Sequence, residues 1–121
     1  MAKAKGKVPF DRTLILITSA GMGQGADELR VKLLRTYLRL LAESGPLPGA
    51  IALYTEGVRL ACAGSPVLDE LNQLAAARVP IILCMTCLNF YGIADAVQVG
   101  IIGGMTDIIA AQQAAEKVIT L

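Results

Sequence analysis

Histidine is absent from this sequence of 121 residues, and tryptophan is absent as well. Without histidine, the chain has no Ser-His-Asp triad, no Cys-His nucleophile pair and no imidazole ligand for a metal. The three cysteines are one ligand short of a tetrahedral cysteine zinc site, so we expect neither a metal nor another cofactor. We expect the chain to lie in the cytoplasm, where the reducing environment keeps cysteines as thiols.

The sequence also has little excess charge and no long hydrophobic run. Its formal net charge of +1 gives no electrostatic reason to expect a nucleic acid or an anionic membrane as a partner. No apolar run approaches the roughly 18 residues of a membrane-spanning helix, and Lys3, Lys5 and Lys7 are not followed by the apolar core of a secretory signal. The hydrophobic fraction of 55% is nevertheless high, which predicts that another subunit covers part of the apolar surface.

What is present is an alternation of apolar runs with segments of helical periodicity. We interpret residues 1–11 as a polar leader and residues 12–121 as a single domain. Strands are predicted at 13–18, 50–54, 79–83, 97–102 and 117–121. Helices are predicted at 27–44, 58–63, 66–77 and 105–115. This alternation predicts an α/β fold, a three-layer α/β/α sandwich with a mainly parallel five-stranded sheet, because parallel neighbours need crossover connections.

Two of these helices carry more detailed expectations. The helix at 27–44 is predicted to turn one apolar face inward, made of Leu29, Leu33, Tyr37, Leu40 and Leu41. For the helix at 66–77, Ser65 is predicted to be the N-cap, with Pro66 in the first position and Asp69 completing a capping box.

The loop after the first strand, residues 19–26, is rich in glycine and reads SAGMGQGA. Gly21 and Gly23 fit the G-x-G-x-x-A pattern that binds dinucleotides between a strand and a helix. Asp27 and Glu28, however, place two negative charges where the pyrophosphate of a dinucleotide would lie. We therefore expect the glycines to serve a sharp turn and not the binding of NAD or FAD.

Two cysteines in a C-x-x-C pattern, Cys84 and Cys87, follow the apolar run 79–83. In an open α/β sheet, ligands and reactive groups lie in the crevice beyond the carboxyl ends of the strands. A thiol among the first residues of a helix is also shifted towards the reactive thiolate by the free N–H groups there. We therefore consider this pair the best candidate for a reactive site, as against two buried cysteines that only fill space.

Several segments of the chain resemble one known family. They read GMGQGADEL, YTEGVRLA, CMTCL, VGIIGGM and KVITL, and the resemblance extends over residues 13–121. The family is the DsrE/DsrF-like family, and the chain is most similar to the C-terminal domain of YedF-type proteins, which are sulfurtransferase-like and linked to selenium metabolism. In the relay members of this family the persulfide cysteine stands eight residues before a glycine, as Cys84 stands before Gly92.

The resemblance implies a function in sulfur relay. Cys84 would carry sulfane sulfur, or selenium, as a cysteine persulfide, and Cys87 would be its neighbouring or resolving thiol, whereas Cys62 would have neither role. The implied partners are TusA-like sulfur carriers and further copies of the chain in a trimer or hexamer. Candidate residues of the loops and of a substrate pocket are Gly23, Gly57, Thr86, Tyr91 and Met105.

Two other functions fit the same residues. A thiol-disulfide oxidoreductase would use Cys84 and Cys87 as its redox pair, although a thioredoxin-like fold places its C-x-x-C after the first strand. A non-catalytic oligomeric module that binds a ligand would use the cysteines for packing alone.

Overall fold

The computed structural model of the chain describes residues 8–121. Residues 1–7, which hold Lys3, Lys5 and Lys7 of the predicted leader, lie outside the described part. The remainder of the predicted leader contains the start of a 3-10 turn at Phe10–Arg12, which directly precedes the first strand.

The centre of the fold is one sheet of five strands. They are β1 (Thr13–Ile17), β2 (Ala50–Leu53), β3 (Ile81–Cys84), β4 (Ile101–Gly103) and β5 (Lys117–Thr120). Their order across the sheet is β4-β3-β2-β1-β5, and every neighbouring pair runs parallel. The predicted α/β class with a parallel sheet is therefore confirmed.

Helices fill the connections between the strands. They are α1 (Asp27–Glu43), α2 (Leu68–Ala76), α3 (Met85–Tyr91) and α4 (Met105–Ala114), with short 3-10 helices at Thr55–Ala61 and Ala94–Ala96. Right-handed crossovers place α1 and α2, which pack on each other, on one face of the sheet. The last crossover returns across the sheet from β4 to β5, so α4 lies on the opposite face. The predicted three-layer α/β/α sandwich is thus confirmed.

The strand β1, which lies between β2 and β5, is buried along its whole length. Helices cover both faces of this strand, which explains why its sequence is apolar without alternation. The edge strand β4 is different, since Ile101 is 66% exposed. The buried part of the sheet therefore consists of β1, β2 and β3. Their carboxyl ends carry the glycine-rich loop, the 3-10 helix Thr55–Ala61 and the C-x-x-C pair.

The fourth strand is shorter than predicted and begins later. The prediction placed it at 97–102, whereas β4 covers Ile101–Gly103. Gly100 interrupts the apolar run because its backbone is left-handed, with φ of +96°. Before this turn, Val97 pairs with Cys62 in an isolated antiparallel bridge instead of joining the sheet.

The predicted inner face of α1 is wrong for three of its five residues, whereas Tyr37 and Leu41 are partly buried against the core as expected. The buried residues of this helix are Leu34 and Leu38, whereas Leu29, Leu33 and Leu40 are about half exposed. The helix carries apolar residues on two adjacent stripes, and spacing alone does not decide which stripe meets the sheet. The second stripe is left as apolar surface.

The predicted capping box of α2 does not form either. The helix begins at Leu68, two residues later than Pro66, and no side chain caps it. The hydroxyl of Ser65 instead accepts a hydrogen bond from the amide of Val67 at 3.1 Å. The carbonyl of Pro66 accepts hydrogen bonds from Arg35 of α1 at 3.1 and 3.3 Å, which holds this residue outside the helix.

The 3-10 helix Thr55–Ala61 packs against the end of β1 so closely that only glycine fits at position 57. A Cβ atom built on Gly57 would lie 2.0 Å from the carbonyl oxygen of Ile17. This contact joins the segment after β2 to the carboxyl end of β1, and it fixes the backbone that precedes and follows Gly57.

We expect Gly57→Ala to destabilise the protein by about 1–3 kcal/mol, because the added methyl group must push two backbones apart. Urea unfolding followed by circular dichroism measures this change. Gly104→Ala is the matched control, since a Cβ atom there would meet only Thr106 Oγ1 at 3.7 Å. Equal stability losses in the two variants would contradict the close packing at Gly57.

Candidate functional site

The carboxyl ends of β2 and β3 bring the C-x-x-C pair next to Thr55. Cys84 is the last residue of β3 and the N-cap residue of α3, and Cys87 lies in the first turn of that helix. Thr55 begins the 3-10 helix that follows β2. The sequence therefore correctly predicted that these cysteines lie at the carboxyl ends of the strands.

The two cysteines differ in exposure. Cys84 is only 2% exposed, and its backbone pairs with Gly103 of β4. Cys87 is partly exposed, and both residues are free thiols. A reagent in solution therefore meets Cys87 before Cys84.

A backbone amide points at the more exposed sulfur. The N–H of Thr55 donates a hydrogen bond to Cys87 Sγ, with 3.0 Å between nitrogen and sulfur. Thr55 adopts a left-handed backbone, with φ of +50°, which is rare for a β-branched residue. Its hydroxyl lies 2.6 Å from the carbonyl oxygen of Thr18 and 2.7 Å from that of Tyr54. The protein thus holds Thr55 in a strained conformation whose effect is to aim its amide at Cys87.

The pKa of the Cys87 thiol is raised above its usual value. Burial is the main cause, and a hydrogen bond with the Cys84 side chain adds to it. The amide of Thr55 acts in the opposite direction because it stabilises the thiolate. The expectation of a shift towards thiolate near the helix start is therefore wrong for Cys87. Burial and the neighbouring Cys84 side chain instead favour the protonated thiol of Cys87 by raising its pKa.

An arginine contacts α3, the helix that carries Cys87, although no cationic residue is adjacent to the pair in sequence. The guanidinium of Arg59 stacks over the ring of Tyr91, 4.3 Å from its centre, and its Nε donates to Glu56 at 2.7 Å. Tyr91 follows Cys87 by one helical turn on α3. Burial raises the pKa of Tyr91, and the nearby carboxylate of Glu56 raises it further.

Sequence reasoning missed Thr55, Glu56 and Arg59 as members of this site. The backbone conformation of Thr55 has no signature in the sequence, because glycine or asparagine is the usual residue at positive φ. The ion pair between Glu56 and Arg59 could have been predicted from the sequence, since the two residues have the i, i+3 spacing of neighbours on a helix.

The predicted loop and pocket residues do not form one cluster. Gly57 and Tyr91 belong to the elements around the pair, and Thr86 is exposed on α3. Met105 begins α4 just after β4 and is about half exposed. Gly23 lines a separate cavity of about 500 Å³, where its carbonyl accepts a hydrogen bond from Arg30 Nε at 2.8 Å.

Cys62 follows the 3-10 helix Thr55–Ala61 and so belongs to a different element from the other two cysteines. It is buried, and its thiol donates to the carbonyl oxygen of Val58 at 3.4 Å. Burial raises the pKa of this thiol, and the positive charge of Arg59 opposes the shift. Both features are typical of an inert core cysteine.

Within residues 8–121, no three cysteine, aspartate or glutamate side chains are grouped as a metal site would require. No helix in this part of the chain is long and apolar enough to cross a membrane.

We expect iodoacetamide to alkylate Cys87 with a pH midpoint above the roughly 8.5 of an ordinary cysteine, because burial and Cys84 favour the protonated thiol. Mass spectrometry of the Cys87 peptide, over a pH series, measures the midpoint. Cys84→Ala is expected to lower it, since this change removes both the hydrogen bonding and the charge of the neighbouring sulfur. The unfolded peptide is the reference, and a folded midpoint at or below its value would contradict the raised pKa.

Comparison with known proteins identifies the fold. Residues 15–121 match the model of the DsrE/DsrF-like family. The YchN protein of E. coli is 25% identical in sequence, and the alignment covers 90% of this chain and 99% of that protein with a TM-score of 0.66. No curated protein matches the chain.

Two more distant structures share the fold alone. MTH1491 from Methanobacterium thermoautotrophicum, a protein of unknown function, is 22% identical with a TM-score of 0.63 over 90% of this chain and 97% of its own. BT1422 from Bacteroides thetaiotaomicron, a conserved protein of unknown function, is 14% identical with a TM-score of 0.62 over 96% of this chain and 100% of its own. The family match covers nearly the whole chain, and we conclude that the protein belongs to the DsrE/DsrF-like family, which is associated with sulfur relay.

Proposed function

We propose that the protein carries sulfane sulfur as a persulfide on its C-x-x-C loop, with Cys84 as the carrier and Cys87 as the neighbouring thiol. The observation that carries this proposal is the presence of two free thiols at the carboxyl end of β3. One of them, Cys87, accepts a hydrogen bond from the amide of Thr55. The same steps with selenium would make the protein a selenium carrier. TusA-like carrier proteins are the proposed donors or acceptors.

The loading step needs no oxidant. The thiolate of Cys84 attacks the outer sulfur of a donor persulfide, R–S–SH, and the S–S bond breaks. The electron pair stays on R–S⁻, which takes up a proton and leaves as a thiol. The outer sulfur remains on Cys84 as Cys84–S–SH.

Two routes then release the sulfur. An acceptor thiolate can attack the outer sulfur, which regenerates the Cys84 thiol. Alternatively, the thiolate of Cys87 attacks the inner sulfur, which forms a Cys84–Cys87 disulfide and expels hydrosulfide. A dithiol reductant must then restore the two thiols.

The low exposure of Cys84 supports its role as the carrier. A persulfide on this sulfur would be shielded from water and from oxidants, whereas the same group on Cys87 would be more accessible. Two residues of α3, Met85 and Cys87, are more exposed than Cys84. The hydrogen bond from the amide of Thr55 orients the Cys87 side chain.

A thiol-disulfide oxidoreductase is the second candidate. Its support is that Cys84 and Cys87 are both free thiols in a C-x-x-C pattern at the junction of β3 and α3. In that function the pair would exchange electrons with a client disulfide and would hold no extra sulfur.

The loading experiment incubates the reduced protein with an inorganic polysulfide and measures the intact mass. Persulfide formation adds about 32 Da, and disulfide formation removes about 2 Da. We expect Cys84→Ser to abolish the addition and Cys87→Ser to allow it with a changed lifetime. Cys62→Ser is the matched control and should load as the parent protein does.

Reversed results for Cys84→Ser and Cys87→Ser would exchange the two roles. Equal loading in all three variants would refute a carrier function of the pair. A mass loss without any addition would favour the oxidoreductase.

The proposed function includes assembly with further copies of the chain, as a trimer or a hexamer. Exposed apolar side chains on β4 and α4 support this, and they include Ile101, Ile102, Met105 and Ile109. The strand β4 is also an edge, so its outer backbone groups are free to pair with another chain. This surface adjoins the site because Gly103 of β4 pairs with Cys84.

We expect light scattering at micromolar concentration to give a multiple of the 12.7 kDa of one chain. Ile101→Lys should reduce the mass towards that of a single chain, because it places a charge in the apolar surface. Leu29→Lys, on the exposed stripe of α1, is the matched control and should leave the mass unchanged. A monomeric parent protein, or the opposite response of the two variants, would contradict assembly through β4 and α4.

A further inference from the structure

A second cavity, of about 550 Å³, lies between the start of α1 and the 3-10 helix Thr55–Ala61. Its polar and charged lining consists of Ser19, Asp27, Arg30, Glu56, Arg59 and Ser65. The volume is within the range of small-molecule sites. Neither Cys84 nor Cys87 lines this cavity, so it is distinct from the sulfur atoms themselves.

Charges of both signs line the cavity, and they balance. Two guanidinium groups, of Arg30 and Arg59, face two carboxylates, of Asp27 and Glu56. A ligand with a single strong charge would meet repulsion from one of these pairs. A zwitterion, which carries a carboxylate and an ammonium group, complements both.

The two arginines have different freedom to bind a ligand. Arg30 is held by three partners, because its Nε donates to Gly23 O at 2.8 Å and its terminal nitrogens donate to Ser19 Oγ at 2.9 Å and Asp27 at 3.3 Å. Arg59 is fixed by Glu56 through Nε and by its stacking on Tyr91. In the part of the chain that the structure describes, its two terminal nitrogens have no hydrogen-bond partner. A planar guanidinium in this state is suited to bind a carboxylate with two parallel hydrogen bonds.

Asp27 is the matching group for a cation. Its side chain is 95% exposed, and among residues 8–121 its one polar side-chain contact is the 3.3 Å bond to Arg30. An ammonium group can therefore approach its free oxygen without displacing a strong interaction.

The wall of the cavity is connected to the thiol pair by two short links. Glu56 directly follows Thr55, whose amide binds Cys87. Arg59 stacks on Tyr91, which lies one turn after Cys87 on α3. A ligand on Glu56 and Arg59 is thus one residue away from a group that contacts the sulfur.

From these observations we infer that the cavity binds a zwitterionic amino acid or short peptide, whose carboxylate pairs with Arg59 and whose ammonium group pairs with Asp27. The inference goes beyond the proposed function, because it assigns a ligand to a cavity that neither Cys84 nor Cys87 lines.

The test measures binding without any sulfur transfer, so it does not depend on loading. L-cysteine, cysteamine and 3-mercaptopropionate are titrated separately into the reduced protein and followed by calorimetry. Cysteamine lacks the carboxylate and 3-mercaptopropionate lacks the ammonium group, so the three probes separate the two charges. We expect saturable binding of L-cysteine that is at least about tenfold tighter than that of either analogue, which corresponds to one charge-assisted contact.

Two variants locate the contacts. Arg59→Gln should remove the preference for L-cysteine over cysteamine, and Asp27→Asn should reduce its preference over 3-mercaptopropionate. Arg39→Gln, which removes an exposed charge on α1 outside the cavity, is the matched control and should bind as the parent protein does. Circular dichroism confirms that each variant is folded, and Asp27→Asn keeps the test informative if Arg59→Gln does not fold.

The outcomes separate this inference from the proposed function. Absence of saturable L-cysteine binding, equal affinity for the three probes, or unchanged affinity in both cavity variants would overturn the inference even if polysulfide loads Cys84. Saturable, charge-dependent binding without any loading of Cys84 would support the cavity as a zwitterion site and refute the carrier function.

Discussion

The contact of Gly57 with the carbonyl oxygen of Ile17 is the constraint on which the site depends. It joins the backbone after β2 to the end of β1, with no room for a side chain between them. Thr55 and Arg59 each lie two residues from Gly57, so their positions follow from this contact. The amide that binds Cys87 and the guanidinium that stacks on Tyr91 are therefore held by the buried centre of the sheet and not by a flexible loop.

Three cysteines in one small domain have three different environments. Cys62 is buried and bonded to a carbonyl oxygen, which suits a core residue. Cys84 is also buried, but it lies at the end of a strand beside a second thiol. Cys87 is partly exposed and accepts a hydrogen bond from the amide of Thr55. Its pKa is nevertheless raised, because burial outweighs the effect of this amide. Position in the fold, more than the amount of burial, distinguishes the reactive candidates from the inert thiol.

Sequence patterns were sufficient for the architecture because they reflect burial. The continuous apolar runs of β1 and β3 indicate a sheet that is covered on both faces. Once β3 is predicted, the C-x-x-C pair is placed at the carboxyl end of that strand. The inner face of α1 was not predictable, since Leu29 and Leu33 satisfy the helical spacing as well as Leu34 and Leu38 do. The outcome depended on the packing of α1 against α2 and the sheet, which is a tertiary effect.

The conformation of Thr55 couples one backbone amide to the chemistry of the thiol pair. Its amide hydrogen bonds directly to a sulfur whose chemical state would change during the proposed reaction. Ionisation, alkylation or oxidation of Cys87 alters the acceptor, so the nitrogen and proton resonances of the Thr55 amide shift with it. This single backbone group is therefore a native spectroscopic sensor, which reports the state of the thiol pair in the intact protein without a label on either cysteine.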